Sequence, residues 1–211
     1  MRKLAAFIGL AGFLLAAAVP AARAALLLRN DKVAVTSETL APGRQEQLDG
    51  AHANVLVVLS GDAIRVVAAG GQAKTLSVKR GDTLNQPAGV RSIANVGRTE
   101  VQLVRTEFLT DGSGITWGAV GLPPNYRLLF EDRYSRTYDI RIAAHQWEQQ
   151  HTHHARVVVC LSGAQLEHVL PDGSVQPSTL KTGEVAWRQG QTHKGHNLGS
   201  TDLWVIAIEP K

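Results

Sequence analysis

Cysteine is almost absent from this chain: its 211 residues include one, Cys160. An internal disulfide framework is therefore excluded, and so are the multi-cysteine metal clusters of zinc fingers and iron–sulfur proteins. Any metal chemistry has to rest on histidine and carboxylates. Lying inside the apolar run Val157-Val158-Val159-Cys160-Leu161, Cys160 itself is expected in the core. The sequence also lacks a Lys/Arg stripe, which removes the case for a nucleic-acid partner. Past residue 25 no stretch carries a helical period. With 44% hydrophobic and 19% charged residues, the composition excludes collagen-like, coiled-coil and wholly disordered chains.

One apolar run stands out, Leu4 to Val19, and it is short for a membrane span, which needs about 20 residues. Arg2 and Lys3 precede it, and Pro20 and the triplet Ala22-Arg23-Ala24 follow. That layout reads as a secretory signal peptide, residues 1–24, with cleavage after Ala24 and a periplasmic or secreted product. Cleavage removes Arg2, Lys3 and Arg23 and no acid, so in the remaining 187 residues 19 basic side chains face 18 acidic ones and the formal charge falls from +4 to +1. The basicity is mostly in the leader, and no membrane attachment is expected once it is gone.

Comparison of the chain with itself reveals a repeat. Leu56-Val57-Val58-Leu59-Ser60-Gly61 and Val158-Val159-Cys160-Leu161-Ser162-Gly163 coincide at an offset of 102 residues, which also pairs Gly71 with Gly173, Gly81 with Gly183 and Asn95-Val96-Gly97 with Asn197-Leu198-Gly199. Within each half, short runs rich in Val, Ile, Leu and Thr are separated by turn signals such as Gly70-Gly71 and Pro171-Asp172-Gly173. Tyr138-Asp139-Ile140-Arg141-Ile142 alternates as a half-buried strand should. The expectation is an all-β protein of two related units, residues 25–109 and 131–211, joined by a Gly- and Pro-rich connector over 110–130. Gly163, Gly173, Gly183 and Gly190 are expected at turns that need unusual backbone angles.

Histidine is concentrated in the second half: after His52 come His145, His151, His153, His154, His168, His193 and His196. On a strand His151 and His153 leave the same face while Thr152 points the other way. Such a pair can offer two nitrogens to one metal ion at about 2.0–2.2 Å. His193, in a turn-rich segment, could add a third if that segment folds back. His151-x-His153, then Val157 to Leu161 and Ser162-Gly163, then Gly183-Glu184, Gly190, His193 and Asn197 resemble the two motifs of the cupin superfamily. With the repeat, residues 33–209 look like a bicupin. The resemblance implies two tandem jelly-roll β-barrels and a mononuclear metal held by His151, His153 and His193.

The departures from the pattern are as informative. The slot that usually carries a glutamate ligand holds Arg156, the glycine opening the first motif is His145, and the proline of the second is Arg188. Glu148 and His196 are candidates for an additional ligand, while His154 reads as solvated. A three-histidine site suits one divalent transition metal: Fe first, alternatively Ni, Cu, Zn or Mn. Arg156 could clamp a carboxylate bidentately, and Trp147 and Trp187 could line a pocket. In the first half the matching slots are Asp49, Ala51, Asn54 and Ser92, so that half has no site and is expected to pack against its neighbour or to serve a homodimer. The functional expectation is an exported metal-binding cupin acting on a small anionic molecule, dioxygenase-like by resemblance. The alternative is a non-catalytic periplasmic cupin that binds a small anion or a metal.

Overall fold

The computed structural model describes residues 22–113, 115–117, 121 and 123–211. They form eighteen strands and, among the described residues, no helix. The first nine are β1 (Arg23–Arg29), β2 (Val33–Leu40), β3 (Gln45–Gln47), β4 (Asn54–Ser60), β5 (Ala63–Ala68), β6 (Ala73–Ser77), β7 (Thr83–Gln86), β8 (Val90–Asn95) and β9 (Val101–Phe108). The next nine are β10 (Tyr126–Glu131), β11 (Ser135–Ile142), β12 (His151–His153), β13 (Arg156–Ser162), β14 (Ala164–Val169), β15 (Val175–Leu180), β16 (Val185–Arg188), β17 (Gln191–Asn197) and β18 (Leu203–Pro210).

The strand order shows the duplication directly. The first half forms sheets β1-β2-β9-β4-β7 and β3-β8-β5-β6, and the second forms β10-β11-β18-β13-β16 and β12-β17-β14-β15. Adding nine to each strand number converts one half into the other. The runs found at an offset of 102 residues become β4 and β13, which hold matching places in their sheets. No sheet closes on itself into a barrel: each half is a five-stranded and a four-stranded sheet.

Alternation explains how these sheets stack. In β4, Leu56 and Val58 join Ile64 and Ile93 from the four-stranded sheet to fill the core of the first half. Val58's equivalent, Cys160, lies with Val158, Leu166 and Val205 in the core of the second. The opposite faces of the two five-stranded sheets meet each other: Val55, Val57, Val104 and Phe108 pack with Val157, Val159, Ile206 and Ile208. Both five-stranded sheets are thus apolar on both faces, which is why their strands read as continuous hydrophobic runs. The first half does pack on its neighbour through this shared layer.

Several local expectations change. The strand around Tyr138–Ile142 is buried almost throughout rather than half-buried. Its charge at Asp139 is matched by Arg127 at 2.8 Å and Arg141 at 3.1 Å, and the indole Nε1–H of Trp204 donates to it at 2.9 Å. The expected connector, 110–130, ends in β10, whose Tyr126 pairs with Ile140, so the second half starts near residue 126. The cleavage point expected after Ala24 falls inside β1, where Ala24 pairs with Glu38 and Ala25 with Ser37. Gly173 and Gly183 have positive φ as expected, but Gly163 and Gly190 do not: a Cβ on Gly163 would collide with the Leu180 carbonyl oxygen, and one on Gly190 would stand 3.1 Å from the His153 carbonyl oxygen. His145, in the slot of a motif glycine, has a φ of 61°, the left-handed conformation that glycine adopts without strain.

Candidate metal centre

Strand β12 lies along β17 with His151 opposite His193 and His153 opposite Gln191. Alternation buries His151, His153 and His193, while Thr152 turns outward and bonds the Thr192 hydroxyl at 2.8 Å. The fold-back expected of the segment around His193 is this strand pairing. Each of the three imidazoles can supply a nitrogen lying within 4.8 Å of the other two.

The remaining ring nitrogens are held from outside. His151 Nδ1–H donates to the Gln149 carbonyl at 2.8 Å, an acceptor that fixes the tautomer. His193 Nδ1 lies 3.2 Å from Gln191 Oε1, and His153 Nδ1 lies 3.6 Å from the buried Glu209 carboxylate. His151 is oriented as metal-binding histidines are, with its second nitrogen tied so that Nε2 presents its lone pair. Burial pushes the His151 and His153 basicities down, and for His153 the Arg156 charge adds to the effect. Both rings are neutral at pH 7, the form that binds metals.

The Nε2 atoms of His151 and His153 stand 2.8 Å apart, and the Tyr126 hydroxyl lies 2.8 Å from the first and 3.0 Å from the second. The phenol has one proton and can donate to one nitrogen at a time. With Nδ1 of His151 donating to Gln149, its Nε2 is an acceptor that the Tyr126 hydroxyl, the His153 ring or a cation at that point could satisfy. The donor set therefore fits a transition-metal ion.

Glu148 completes the cluster. Its Oε1 lies 3.4 Å from His193 Nε2 and 3.9 Å from His151 Nε2, and Oε2 accepts from Asn125 Nδ2 at 3.2 Å. Burial raises its pKa, but its interactions with His193, His151 and Asn125 outweigh that and leave the group below the ordinary value. Gly195 makes its position feasible, because a Cβ there would run into the Glu148 carboxylate.

A cavity of about 320 Å³ opens beside the cluster, lined by Tyr126, Glu148, His153, His168 and His193 on its polar side. Ile140, Ile142, Val158, Leu166, Leu180, Leu203 and Val205 form an apolar part, and Arg156, Arg188, Gln176, Ser178 and Gln189 are also in the wall. Other residues singled out in the sequence lie elsewhere. His196 turns outward, bonds Glu167 at 3.0 Å and stacks on the exposed Trp147 at 4.0 Å, away from the three histidines. Trp187 packs on the apolar layer between the halves. His145 is exposed, and His154 stacks on Trp117 at 4.4 Å. In the first half β3 forms over Gln45–Gln47, ahead of Asp49 and Ala51, so these two slots fall outside the strand that corresponds to β12. No second group of three metal-binding side chains occurs among the described residues.

Three contributors were not anticipated. His168 stacks on His193 at 4.4 Å, and burial, with the His193 charge, lowers its pKa to about 4. The signal was alternation along β14, since Ala164, Leu166 and His168 share a face. Tyr126 was hidden at the end of the expected connector. Glu209, its pKa raised to about 7 by burial, gave no local signal near the chain end.

No protein-family model matches this chain, and no curated protein sequence does either. Solved structures do match. A cupin 2 conserved barrel domain protein from Leptotrichia buccalis is 15% identical, with 90% of this chain and 89% of that one aligned at a TM-score of 0.60. AerE from Microcystis aeruginosa is 13% identical over 91% and 98% of the two chains, with a TM-score of 0.62. An oxalate decarboxylase from Lactobacillus farciminis, solved as a formate complex, is 13% identical over 86% and 78%, with a TM-score of 0.60. The chain thus has the fold of cupin-domain proteins, and its buried three-histidine group could hold a divalent metal.

Proposed function

We propose that this protein is an exported bicupin whose second half binds one divalent metal through Nε2 of His151, His153 and His193 and acts there on a small anionic molecule. The observation that carries the reading is the burial of three imidazoles, each able to bring one nitrogen within 4.8 Å of the other two, with the His151 tautomer set by its bond to Gln149. A bound metal, Fe first and Ni, Cu, Zn or Mn otherwise, would supply Lewis acidity and open coordination positions of the kind three-histidine dioxygenases use. The chain's own groups do the rest. Glu148, held ionised beside His193, is placed to accept a proton from a bound acid, and the apolar wall offers a surface for the rest of the molecule. The leader-like residues 1–24 support export, and the repeated strand order supports the bicupin reading.

A second reading is favoured by Arg156: a non-catalytic periplasmic binder of a small anion or a metal, with an arginine where related motifs put a ligand. Elemental analysis of protein expressed with its leader and purified without a His tag or chelator tests the first step. Near-stoichiometric metal that disappears in His151→Ala, His153→Ala or His193→Ala is expected, and no metal after reconstitution would refute the metal centre. Oxygen consumption with a panel of small acids then separates catalysis from binding.

A further inference from the structure

Three arginines are buried among the described residues, and two of them have carboxylates. Arg105 pairs with Glu38 and Glu107, and Arg136 pairs with Glu131 at 2.6 Å. Arg156, 8% exposed at the cavity wall, joins no ion pair; its Nη1 donates to the carbonyls of His154 at 3.4 Å and Gln189 at 3.3 Å. The buried Glu209 and Glu148 carboxylates attract this guanidinium only through space and do not outweigh its burial, and an anion in the adjoining cavity would supply a directly bonded counter-charge. Its planar fork matches the two oxygens of a carboxylate.

The rest of the cavity is unlike a site for a compact dianion. Seven aliphatic side chains, Ile140, Ile142, Val158, Leu166, Leu180, Leu203 and Val205, form its apolar wall, and neutral polar groups such as Gln176, Ser178 and Gln189 line other parts. The other lining arginine, Arg188, is engaged by Glu184 at 3.3 Å, and the Glu148 carboxylate would repel a second negative group. The volume, about 320 Å³, is at the small end for ligand pockets, which run from about 300 to 1,000 Å³.

We infer that the cavity takes a small amphipathic monocarboxylate, its acid group clamped by Arg156 and an aliphatic or aryl body of a few carbons resting on the apolar wall. This rests on the small-anion reading above and narrows it to a chemical class.

Calorimetric titration of the purified protein with acetate, butyrate, hexanoate, oxalate and 1-hexanol tests it, in metal-free and zinc-loaded forms. In the metal-free form, affinity should rise about three- to fourfold per methylene from acetate to hexanoate, as apolar burial requires. Hexanol should bind about tenfold or more weaker than hexanoate, because it lacks the charge-assisted hydrogen bonds. Oxalate should bind no tighter than acetate. Arg156→Gln should lose the preference for hexanoate over hexanol, and Arg156→Lys should restore part of it. A flat series, oxalate outranking hexanoate, or an unchanged preference in a folded Arg156→Gln would each overturn the inference. The wild-type series with its hexanol control decides alone if the variants do not fold. Zinc binding with a flat series sinks this inference alone; a rising series in a protein that takes up no zinc sinks the metal centre alone.

Discussion

Phe108 tests whether the two halves are one folding unit. Its ring sits in the apolar layer between the five-stranded sheets, 2% exposed, stacked on Tyr134 of the second half with centroids 6.0 Å apart. Its backbone N–H donates to the Ala53 carbonyl at 3.0 Å, so the residue cannot shift to refill a void. Phe108→Ala deletes most of a buried aromatic side chain, a change that costs about 3–5 kcal/mol in well-packed cores. Total stability is typically about 5–15 kcal/mol, so the loss is a large fraction of it. With a urea dependence of about 2 kcal/mol per molar, the unfolding midpoint should fall by about 2 M. Because the same layer contains Val157, Val159 and Ile208, tryptophan fluorescence and far-ultraviolet circular dichroism should report one transition moved as a whole. A shift below about 0.5 M would refute the packing argument. Two transitions, only one of them displaced, would show that each half folds on its own.

Acidification should destabilise the metal-free protein. His151, His153 and His168 have lowered folded-state pKa values, so their contribution is present above the unfolded value near 6.5 and is lost as pH falls below it. Glu209, raised to about 7, acts oppositely: its contribution is present below the unfolded value near 4.5 and lost as pH rises toward 7. Three groups outweigh one, so urea midpoints measured in chelator should drop from pH 7.5 to pH 5.5, and a flat or rising series would contradict the assignment. Gln191→Ala unties His193 Nδ1 and should weaken zinc binding about ten- to a hundredfold in a competition assay, with no change if the side-chain contact at 3.2 Å is idle. His168→Ala stays outside the ligand set and should retain its metal by elemental analysis; loss matching that of His193→Ala would make it a ligand. Gly163→Ala drives a Cβ into the Leu180 carbonyl and the Thr182 backbone, and calorimetric melting should show a loss of about 1–3 kcal/mol, with wild-type stability contradicting the collision.

Much of this architecture was legible because burial on both faces leaves a strong pattern. Runs such as Val55–Val58 and Val157–Val159 could be found, and matched to each other, without knowing what covered them. The histidine pair was legible for a similar reason, since a two-residue spacing on a strand fixes a shared face. What escaped came from distant chain segments that meet only in the fold. Tyr126 arrives from the strand that opens the second half, Glu209 from the strand that ends it, and neither is marked by its neighbours. His196 misled because it is close in sequence to His193, yet three residues along a strand reverse the face, and it pairs with Glu167 on the other side. Trp187 misled because proximity to a motif says nothing about which face a tryptophan takes.

Arg156 and Glu148 are best understood together. A carboxylate at position 156 would have joined the histidines from β13, the strand where the resemblance expects a ligand. Here β13 presents a guanidinium at the cavity wall, and a carboxylate reaches His193 from the segment before β12, where Gly195 leaves space for it. The negative group has in effect changed sides, and the cation takes the wall it left. An acid at Glu148 would balance part of the charge of a divalent metal if one were bound, and Arg156 is a fixed positive centre in the wall of the same cavity. Arg127 and Arg141 are salt-bridged to Asp139, whereas Arg156 is buried with its Nη1 bonded to the His154 and Gln189 carbonyls. Under the proposed function, the guanidinium at position 156 would give an anionic ligand a second point of attachment besides a metal on the three histidines.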